Sequence, residues 1–403
     1  MTYKYRGTQP AGLPSTTPAT RWAVTSEKAS ENRGKFYYLP NDTIVAAASN
    51  NAQNSWLGGY NPWGVASKTA RGISILAYGK NTSGDGIYIA VQTSHTANEF
   101  GIQSGSLVEV VAGDPPGPDD VNPWTLVDVT GSSSNQVVLS DAVWGADSGG
   151  AVAGTWMAVG DQSSDQVVYR SRDGGQNWQA IAVPSGDSSV DVFTIASNGS
   201  GTWAFVHDDG FYLSTDDGAS FTKSTPFTMG KGLGIGYDKS TNTWIVSYTQ
   251  GSNYNIRTCS GTDFTTWSSE TQVNGSAGTF DNVGNVAHFI RAYNGRVMIQ
   301  PRNTSGASRI AILDVNGTSI SNLDTIQLAT SGDSNKIVCS ATDGITWLIG
   351  TRGGNIWKSS DNAETWIKIT SGLTGPTSPD YAGPHTFGNA ARMGMAADVY
   401  YPL

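Results

Sequence analysis

Residues 154–178 of the chain read GTWMAVGDQSSDQVVYRSRDGGQNW, and residues 201–221 read GTWAFVHDDGFYLSTDDGASF. Both segments begin with Gly-Thr-Trp and an apolar run, and both end on the pattern Ser-x-Asp-x-Gly-x-x-Trp/Phe. The apolar run predicts a buried strand, and the end rich in Asp and Gly predicts the turn of a hairpin. A segment that recurs in this way indicates an array of similar supersecondary units.

Weaker copies extend the array. Residues 359–366 read SSDNAETW, with Ala363 in the glycine position, and they follow the pair Thr346-Trp347. A degenerate copy, TCSGTDFTTW, occupies residues 258–267 after Thr243-Trp244, and residues 295–299 (GRVMI) keep the strand but have lost the turn pattern. The Thr-Trp pairs at Thr155, Thr202 and Thr243 follow one another after about 40 to 50 residues, which is the period of a four-stranded propeller blade.

The repeated ends resemble the Asp-box, or BNR repeat, of sialidases, sortilin-type receptors and photosystem assembly factors. The resemblance covers residues from about 135 to 370, and it implies a turn whose Asp accepts hydrogen bonds from turn amides. It also implies a Gly with positive φ and an aromatic side chain that packs over the turn. The structural residues predicted in this way are Ser171, Asp173, Gly175, Trp178, Ser214, Asp216, Gly218, Phe221, Ser359, Asp361 and Trp366.

The fold class predicted is all-β, a β-propeller of about seven four-stranded blades, with six as the alternative. Blades are expected near residues 71–128, 135–183, 190–227, 232–273, 283–328 and 335–370. Strands from both termini are expected to close the ring within a single domain, residues 21–403, which leaves no open edge between the first and last blades. Residues 1–20, rich in Pro, Thr, Gly and Ala, are expected to form an extended arm.

Composition limits the classes of function. Charged residues make up 14% of the chain, against roughly 25% in an average soluble protein. The net charge of −9 argues against nucleic acid as a partner. No apolar run is long enough to predict membrane insertion, and the first residues lack the apolar core of a signal peptide. Cys259 and Cys339 are expected to be buried thiols unless the fold brings them together.

The motifs of two enzyme classes are incomplete in this sequence. Sialidases carry an arginine trio, a Tyr–Glu pair and an acidic Asp, and their first arginine sits in a Phe/Tyr-Arg-Ile-Pro motif that this sequence lacks. An alternative trio, Arg291, Arg302 and Arg309, is interpreted as hairpin surface charge. Residues 145–150 (GADSGG) look like the nucleophile loop of trypsin-like proteases, but no His lies in a matching motif, so a turn is predicted. No catalytic residue, cofactor or metal ligand is assigned.

Two aromatic loops are the candidate ligand or partner contacts. They contain Trp56, Tyr60 and Trp63 in the first loop, and Tyr381, His385 and Phe387 in the second. Exposed aromatic side chains stack on sugars and anchor protein interfaces. The alternative interpretation, that these rings cap the end of the propeller, is the favoured one.

Three classes of function remain. Low charge and abundant Gly, Ser, Thr and Asn resemble bacteriophage virion proteins, which predicts a non-enzymatic structural or attachment propeller of a tail or capsid. The alternatives are a carbohydrate-binding, receptor-reading propeller and a sialidase-like glycoside hydrolase. The expected partners are other virion proteins, contacted through the arm within a homo- or hetero-oligomeric assembly, and a cell-surface glycan. The expected location is the virion, with the extracellular space as the alternative.

Overall fold

A computed structural model gives the fold of the chain. It describes residues 22–28, 33–39, 57–60, 73–92, 99–103, 124–128, 137–162, 165–184, 194–207, 210–251, 253–261, 264–273, 288–301, 308–329, 337–351, 356–369 and 393–397. Every regular element in these ranges is a β-strand. None of the described segments is a helix that could cross a bilayer.

The described strands form seven four-stranded antiparallel sheets, and six of the seven consist of four consecutive strands of the chain. Five of these sheets cover residues 137–369. The first contains β8 (Val137–Gly145), β9 (Thr155–Gln162), β10 (Asp165–Ser171) and β11 (Gln179–Ile181), and the second contains β12 (Ile195–Ser197), β13 (Trp203–His207), β14 (Gly210–Ser214) and β15 (Thr222–Ser224). The third contains β16 (Lys231–Asp238), β17 (Thr243–Gln250), β18 (Asn253–Ser260) and β19 (Thr271–Gln272), the fourth contains β20 (His288–Tyr293), β21 (Arg296–Pro301), β22 (Ser308–Asn316) and β23 (Ser319–Ala329), and the fifth contains β24 (Ile337–Thr342), β25 (Trp347–Thr351), β26 (Ile356–Ser359) and β27 (Ile367–Ile369).

The other two sheets include the first strands of the chain. One contains β4 (Ile73–Lys80), β5 (Gly86–Gln92), β6 (Glu99–Gln103) and β7 (Trp124–Asp128). The other pairs strands from opposite ends of the chain, in the order β28 (Met393–Ala397), β1 (Trp22–Lys28), β2 (Arg33–Leu39) and β3 (Leu57–Tyr60). In its register Trp22 lies opposite Ala397 and Ser26 lies opposite Met393.

The sheets are arranged around a common centre. The first strand of each sheet in spatial order, β28, β4, β8, β12, β16, β20 or β24, contacts the corresponding strand of the sheets on both sides, and β28 contacts both β24 and β4. Four-stranded antiparallel sheets arranged radially in this way are the blades of a β-propeller. The predicted all-β propeller of four-stranded blades is therefore confirmed.

The second strand of a blade is where the Thr-Trp pair lies. Trp156, Trp203, Trp244 and Trp347 stand near the start of β9, β13, β17 and β25, and each has 0% relative exposure. Successive side chains on a strand point to opposite faces, and in a propeller both faces meet a neighbouring blade. Full burial on both faces explains why these strands are continuous apolar runs and not alternating patterns.

The core is consequently divided into layers between blades. One layer joins Met157 and Val159 of β9 to Trp203 and Phe205 of β13, and the next joins Val206 of β13 to residues of β17. Trp156 packs in the opposite direction, against Ile87 and Ile89 of β5. These blades therefore contribute one face to each of two layers, so their described core residues lie between blades.

Candidate functional site

The Ser-x-Asp turns between the third and fourth strands of three blades share one hydrogen-bond pattern. In the turn from β14 to β15, the Ser214 hydroxyl donates to Asp216 Oδ1 (2.7 Å) and accepts from the buried Gly218 N–H (2.9 Å). The Asp216 carboxylate also accepts from the Ser220 N–H (3.0 Å) and from the Ser220 hydroxyl (2.6 Å). The carboxylate therefore accepts hydrogen bonds from the polar groups of its own turn.

The same contacts recur in the turns that begin at Ser171 and Ser359. Asp173 Oδ1 accepts from the Ser171 hydroxyl (2.8 Å) and the Asn177 N–H (2.9 Å), and Asp361 Oδ1 accepts from the Ser359 hydroxyl (2.7 Å) and the Thr365 N–H (2.9 Å). Burial raises the pKa of all three carboxyl groups, but the hydrogen bonds outweigh it and hold each pKa below its ordinary value. These aspartates are structural anions.

The fifth position of the turn needs a positive φ, with or without glycine. The φ angles are 83° at Gly175, 77° at Gly218 and 63° at Ala363, so alanine occupies the left-handed region in the third copy. The degenerate copy keeps this position as well, because Phe264 has a φ of 52°. The backbone turn thus survives where the sequence pattern has decayed.

The last position of the turn carries the aromatic side chain. The indole N–H groups of Trp178 and Trp366 donate to the backbone carbonyls of Gly175 (2.8 Å) and Ala363 (3.2 Å). Trp267 makes the equivalent bond to Phe264 (2.9 Å), and Phe221 packs at 5.1 Å from Phe205 in the layer between two blades. The ring folds back over its own turn and closes the outer part of the layer.

The fourth position of the turn touches the preceding blade. The Asp217 carboxylate accepts from the Ser148 N–H (2.8 Å) and hydroxyl (2.9 Å), which belong to the connection between β8 and β9. The Asn362 carbonyl accepts from Arg296 Nε of β21 (3.1 Å). At Gly174 a Cβ atom would lie 2.8 Å from the Cα of Asn81, in the hairpin that joins β4 to β5. The turns therefore fasten neighbouring blades together at one end of the ring.

The loop at residues 145–150 is a turn, as predicted, and its polar side chains are bonded within the fold. The buried Asp147 carboxylate accepts from the Thr155 hydroxyl (2.6 Å) and pairs with Arg172 Nη2 (2.6 Å). The Ser148 hydroxyl donates to Asp217, so its partner is a carboxylate and not a histidine. The arrangement holds two blades together and does not resemble a serine nucleophile with its base.

A second set of polar contacts lies at the inner strands, around the axis of the ring. Asp141 on β8 accepts from the Ile195 N–H of the next blade (3.1 Å), and the Thr194 hydroxyl accepts from the Ile235 N–H of the blade after that (3.0 Å). Arg291 on β20 donates to the Ser340 carbonyl on β24 (3.3 Å), and burial lowers its pKa. These side chains connect inner strands that share no ladder.

A Tyr–Glu pair with an arginine, the residue types of a sialidase centre, does occur in the fold. The Tyr248 hydroxyl donates to Glu270 Oε2 (2.8 Å) and accepts from Arg257 Nε (2.9 Å). Tyr248 is completely buried, and burial is the main cause that raises its pKa to about 12. A nucleophilic tyrosine needs access to substrate and a stabilised phenolate, so this trio is a structural contact within one blade, among its second strand, its third strand and the residue that precedes its fourth.

The arginines considered for a carboxylate-binding trio do not converge in the described part of the chain. Arg291 lies on the innermost strand of its blade, whereas Arg309 lies on β22 and donates to Gln327 of the outer strand (3.1 Å). Arg302 lies outside the described residues. Among the residues that the structure describes, no group of His, Cys, Asp and Glu side chains is placed to bind a metal ion. Cys259 and Cys339 are buried and form no disulfide.

The aromatic loop residues can be placed only by the strands that flank them. Tyr60 ends β3, and Trp56, Trp63, Tyr381, His385 and Phe387 lie outside the described residues. Residues 61–72 join β3 to β4, and residues 370–392 join β27 to β28. Through the ladders of this sheet, Tyr60 at the end of β3 is aligned with the start of β28, and Leu57 is aligned with the other end of β28.

The fold and these contacts define a β-propeller whose repeated turns and inner polar groups join its blades. No family model matches the sequence, and no curated protein matches it. Among solved structures, the chain is similar to YCF48 from Cyanidioschyzon merolae, with 14% identity, coverage of 75% of this chain and 88% of that chain, and a TM-score of 0.43. It is also similar to a chain of a nidogen/laminin complex, with 10% identity, 94% and 98% coverage, and a TM-score of 0.43.

An ancestral GH74 enzyme is a further structural neighbour, with 13% identity, coverage of 93% of this chain but 46% of the enzyme, and a TM-score of 0.48. The three neighbours differ in what their names describe, and sequence identity to them is at most 14%. A propeller scaffold carries many unrelated activities, so these likenesses identify no function for this chain.

Proposed function

We propose that the chain is a non-catalytic propeller that serves as an assembly or attachment module of a bacteriophage particle. The observation that carries this proposal is the use of the polar side chains. Asp173, Asp216 and Asp361 close turns, while Asp217 and Asp141 join neighbouring blades. Carboxylates that could serve hydrolysis are thereby used to build a rigid ring, which is what an attachment scaffold requires.

The proposal includes the finer description of the fold and its turns. We take the seven sheets as seven blades of one closed ring, because β28 pairs with β1 in the same sheet while contacting β24 and β4 on either side. The turns with the Ser-x-Asp pattern are proposed to be Asp-boxes. Residues 21–403 would then be a single domain, preceded by an arm of residues 1–20 that contacts other virion proteins.

Composition supports the virion location. Charged residues make up only 14% of the chain and glycine contributes 49 residues. Because the chain has few long charged side chains, little side-chain entropy is lost when other subunits cover its surface. A protein built to be packed into a particle benefits from this property, whereas a free enzyme has no comparable need.

The decisive experiment is mass spectrometry of particles purified by density gradient from a lysate in which the chain is expressed with its own genome. Peptides of the chain should co-purify with the major capsid protein at a constant ratio across the particle peak. Their absence from the particle fractions would refute the virion assignment. Cleavage of a fluorogenic sialoside by the purified chain would refute the non-catalytic one.

A carbohydrate-binding role is the second candidate, and one topological observation favours it. Tyr60 and Met393, which border the segments that contain Trp63 and Tyr381, lie at one end of a single sheet, whereas Leu57, which follows Trp56, lies at its other end. On an array of bacterial surface polysaccharides, Trp63→Ala and Tyr381→Ala should then weaken binding of the full chain. Trp56→Ala is the matched control and should bind as the wild type does.

A further inference from the structure

The outer strand β23 differs from the other outer strands of the ring. β23 has 11 residues, whereas the outer strands β3, β7, β11, β15, β19 and β27 have between 2 and 5. Natural sheets keep their edge strands short because unpaired N–H and C=O groups can pair with another chain. A long edge strand in one blade only is therefore a feature to be explained.

The length of β23 follows from the loss of the Ser-x-Asp pattern in this blade. In the blades with the pattern, the turn consumes the residues between the third and fourth strands, and a fourth strand of 3 residues follows. Here Asn316 pairs directly with Ser319, so a tight hairpin leads at once into the outer strand. In this blade a tight hairpin and a long outer strand take the place of the Ser-x-Asp turn and the short outer strand.

The edge has two interruptions and a uniform stretch between them. The pairing with β22 shifts register near Asn322, which has a φ of 49°, then runs regularly from Asp324 to Gln327, and shifts again between Gln327 and Ala329. Asp324 is the one charged residue of the strand, and there is no Lys or Pro to block an edge. Ile326 and Leu328 pack inward towards the next blade, which fixes the strand in place.

The backbone amides of this stretch include donors on the side away from β22. The Thr325 N–H donates to the Asp324 carboxylate (2.7 Å), as expected of an amide outside the ladder. Alternate amides in an antiparallel strand point the same way, so the Gln327 N–H also faces the open side. Among the described residues, no strand other than β22 pairs with β23.

We propose that this edge is an interface with a second copy of the chain, formed by antiparallel pairing of β23 with its two-fold equivalent, centred on Ile326. Adding a strand to an open edge supplies main-chain hydrogen bonds, and a two-fold axis lets one surface pair with itself. The result is a continuous sheet of eight strands across two propellers.

The distribution of charge selects a second copy in this register. Pairing centred on Ile326 places Asp324 of one copy opposite Leu328 of the other and Thr325 opposite Gln327. The two carboxylates are then several residues apart along the new ladder, whereas a register centred on Asp324 would set like charges face to face. Because β23 has a single charged residue, two copies of it can pair in this register without placing like charges opposite each other, although the net charge of the chain is −9.

The test uses the full chain and two substitutions at one position. Gln327→Pro removes an N–H on the open side, and proline is tolerated on an edge strand when its missing donor faces away from the sheet. Gln327→Thr keeps the N–H, and both variants lose the contact between Arg309 and Gln327 equally. By light scattering during gel filtration and by analytical ultracentrifugation, the wild type and Gln327→Thr should dimerise. Gln327→Pro should dimerise at least about tenfold more weakly.

Hydrogen exchange supplies a readout that oligomeric state alone does not. Amides of residues 323–329 should exchange more slowly at high than at low protein concentration in the wild type and in Gln327→Thr, but not in Gln327→Pro. If Gln327→Pro lowers the thermal midpoint, Thr325→Lys replaces it, because a lysine on an edge strand opposes pairing without removing a backbone donor.

A wild type that stays monomeric at the highest attainable concentration would overturn the proposal. So would dimers of Gln327→Pro or Thr325→Lys as strong as those of the wild type, since the interface would then lie elsewhere. The inference does not rest on the proposed virion role: a dimer through β23 absent from phage particles would refute that role and leave this interface intact.

Discussion

Replacing Ser214 with alanine tests the idea that the turn hydroxyl, and not the aspartate alone, holds the hairpin. The Ser214 hydroxyl accepts from the Gly218 N–H at 2.9 Å, and both residues are buried. Without it this amide loses its partner in a place where water does not replace it. A buried unsatisfied donor costs about 1–3 kcal/mol, so we expect the free energy of unfolding to fall by about 2 kcal/mol.

The other bond lost in Ser214→Ala contributes less. The Asp216 carboxylate is exposed and keeps its two contacts with Ser220, so water and those donors compensate for the missing hydroxyl. The repeated turn offers an internal replicate, because Ser359 accepts from the Ala363 N–H at the same 2.9 Å. Ser359→Ala should therefore cost a similar amount.

Urea unfolding followed by tryptophan fluorescence is the assay, and Thr215→Ala is the matched control. Thr215 is the exposed residue between Ser214 and Asp216, and its replacement should change stability by less than about 0.5 kcal/mol. If Ser214→Ala and Thr215→Ala unfold at the same urea concentration, the hydroxyl does not support the turn. The assignment of the repeated serines would then be wrong.

Three further predictions follow from the same contacts. The pKa of Asp216 is lowered in the folded state, so its charge stabilises the fold above the pKa that this carboxyl has in the unfolded chain. The loss of stability in Asp216→Asn should therefore be largest near neutral pH and should disappear as the pH falls through the lowered native pKa. An equal loss at acid pH in urea melts would contradict this. Gly232→Ala should lower the free energy of unfolding by more than about 1 kcal/mol, because its Cβ would lie 2.6 Å from the His207 carbonyl oxygen. Gly149→Ala is the control, because a Cβ there would meet no atom within 4 Å. Equal thermal midpoints of the two variants would refute the packing argument. Phe264→Ala should cost about 3–5 kcal/mol in urea melts, because the ring is buried among aromatic neighbours, and a cost below about 1 kcal/mol would show that the degenerate turn is not part of the core.

The repeat was the part of the architecture that could be predicted from sequence. Buried strands that begin with Thr-Trp and turns with Ser-x-Asp-x-Gly are local signals, because hydrogen bonds within about eight residues define the turn. The expected blade near residues 135–183 corresponds to the sheet from Val137 to Ile181, and the one near 335–370 to the sheet from Ile337 to Ile369. Locality made these boundaries accurate to a few residues.

Contacts between blades could not be predicted, because their partners are far apart in sequence. Nothing in the GADSGG segment shows that Ser148 donates to Asp217 of the next blade, 69 residues away. The trio of Tyr248, Arg257 and Glu270 lies within one blade, and it was missed because its members stand on or beside different strands. The sole sequence signal was the presence of these residues in adjacent strands of one repeat.

The amino-acid sequence by itself determined the repeating hairpins, because each turn is stabilised by its own side chains and each second strand is apolar throughout. The tertiary structure decided how those hairpins are used. Only the ring places Asp141, Thr194 and Arg291 at the junctions of inner strands, and only the pairing of β1 with β28 connects the two ends of the chain. Those contacts depend on the distance between blades in space, which no local pattern records.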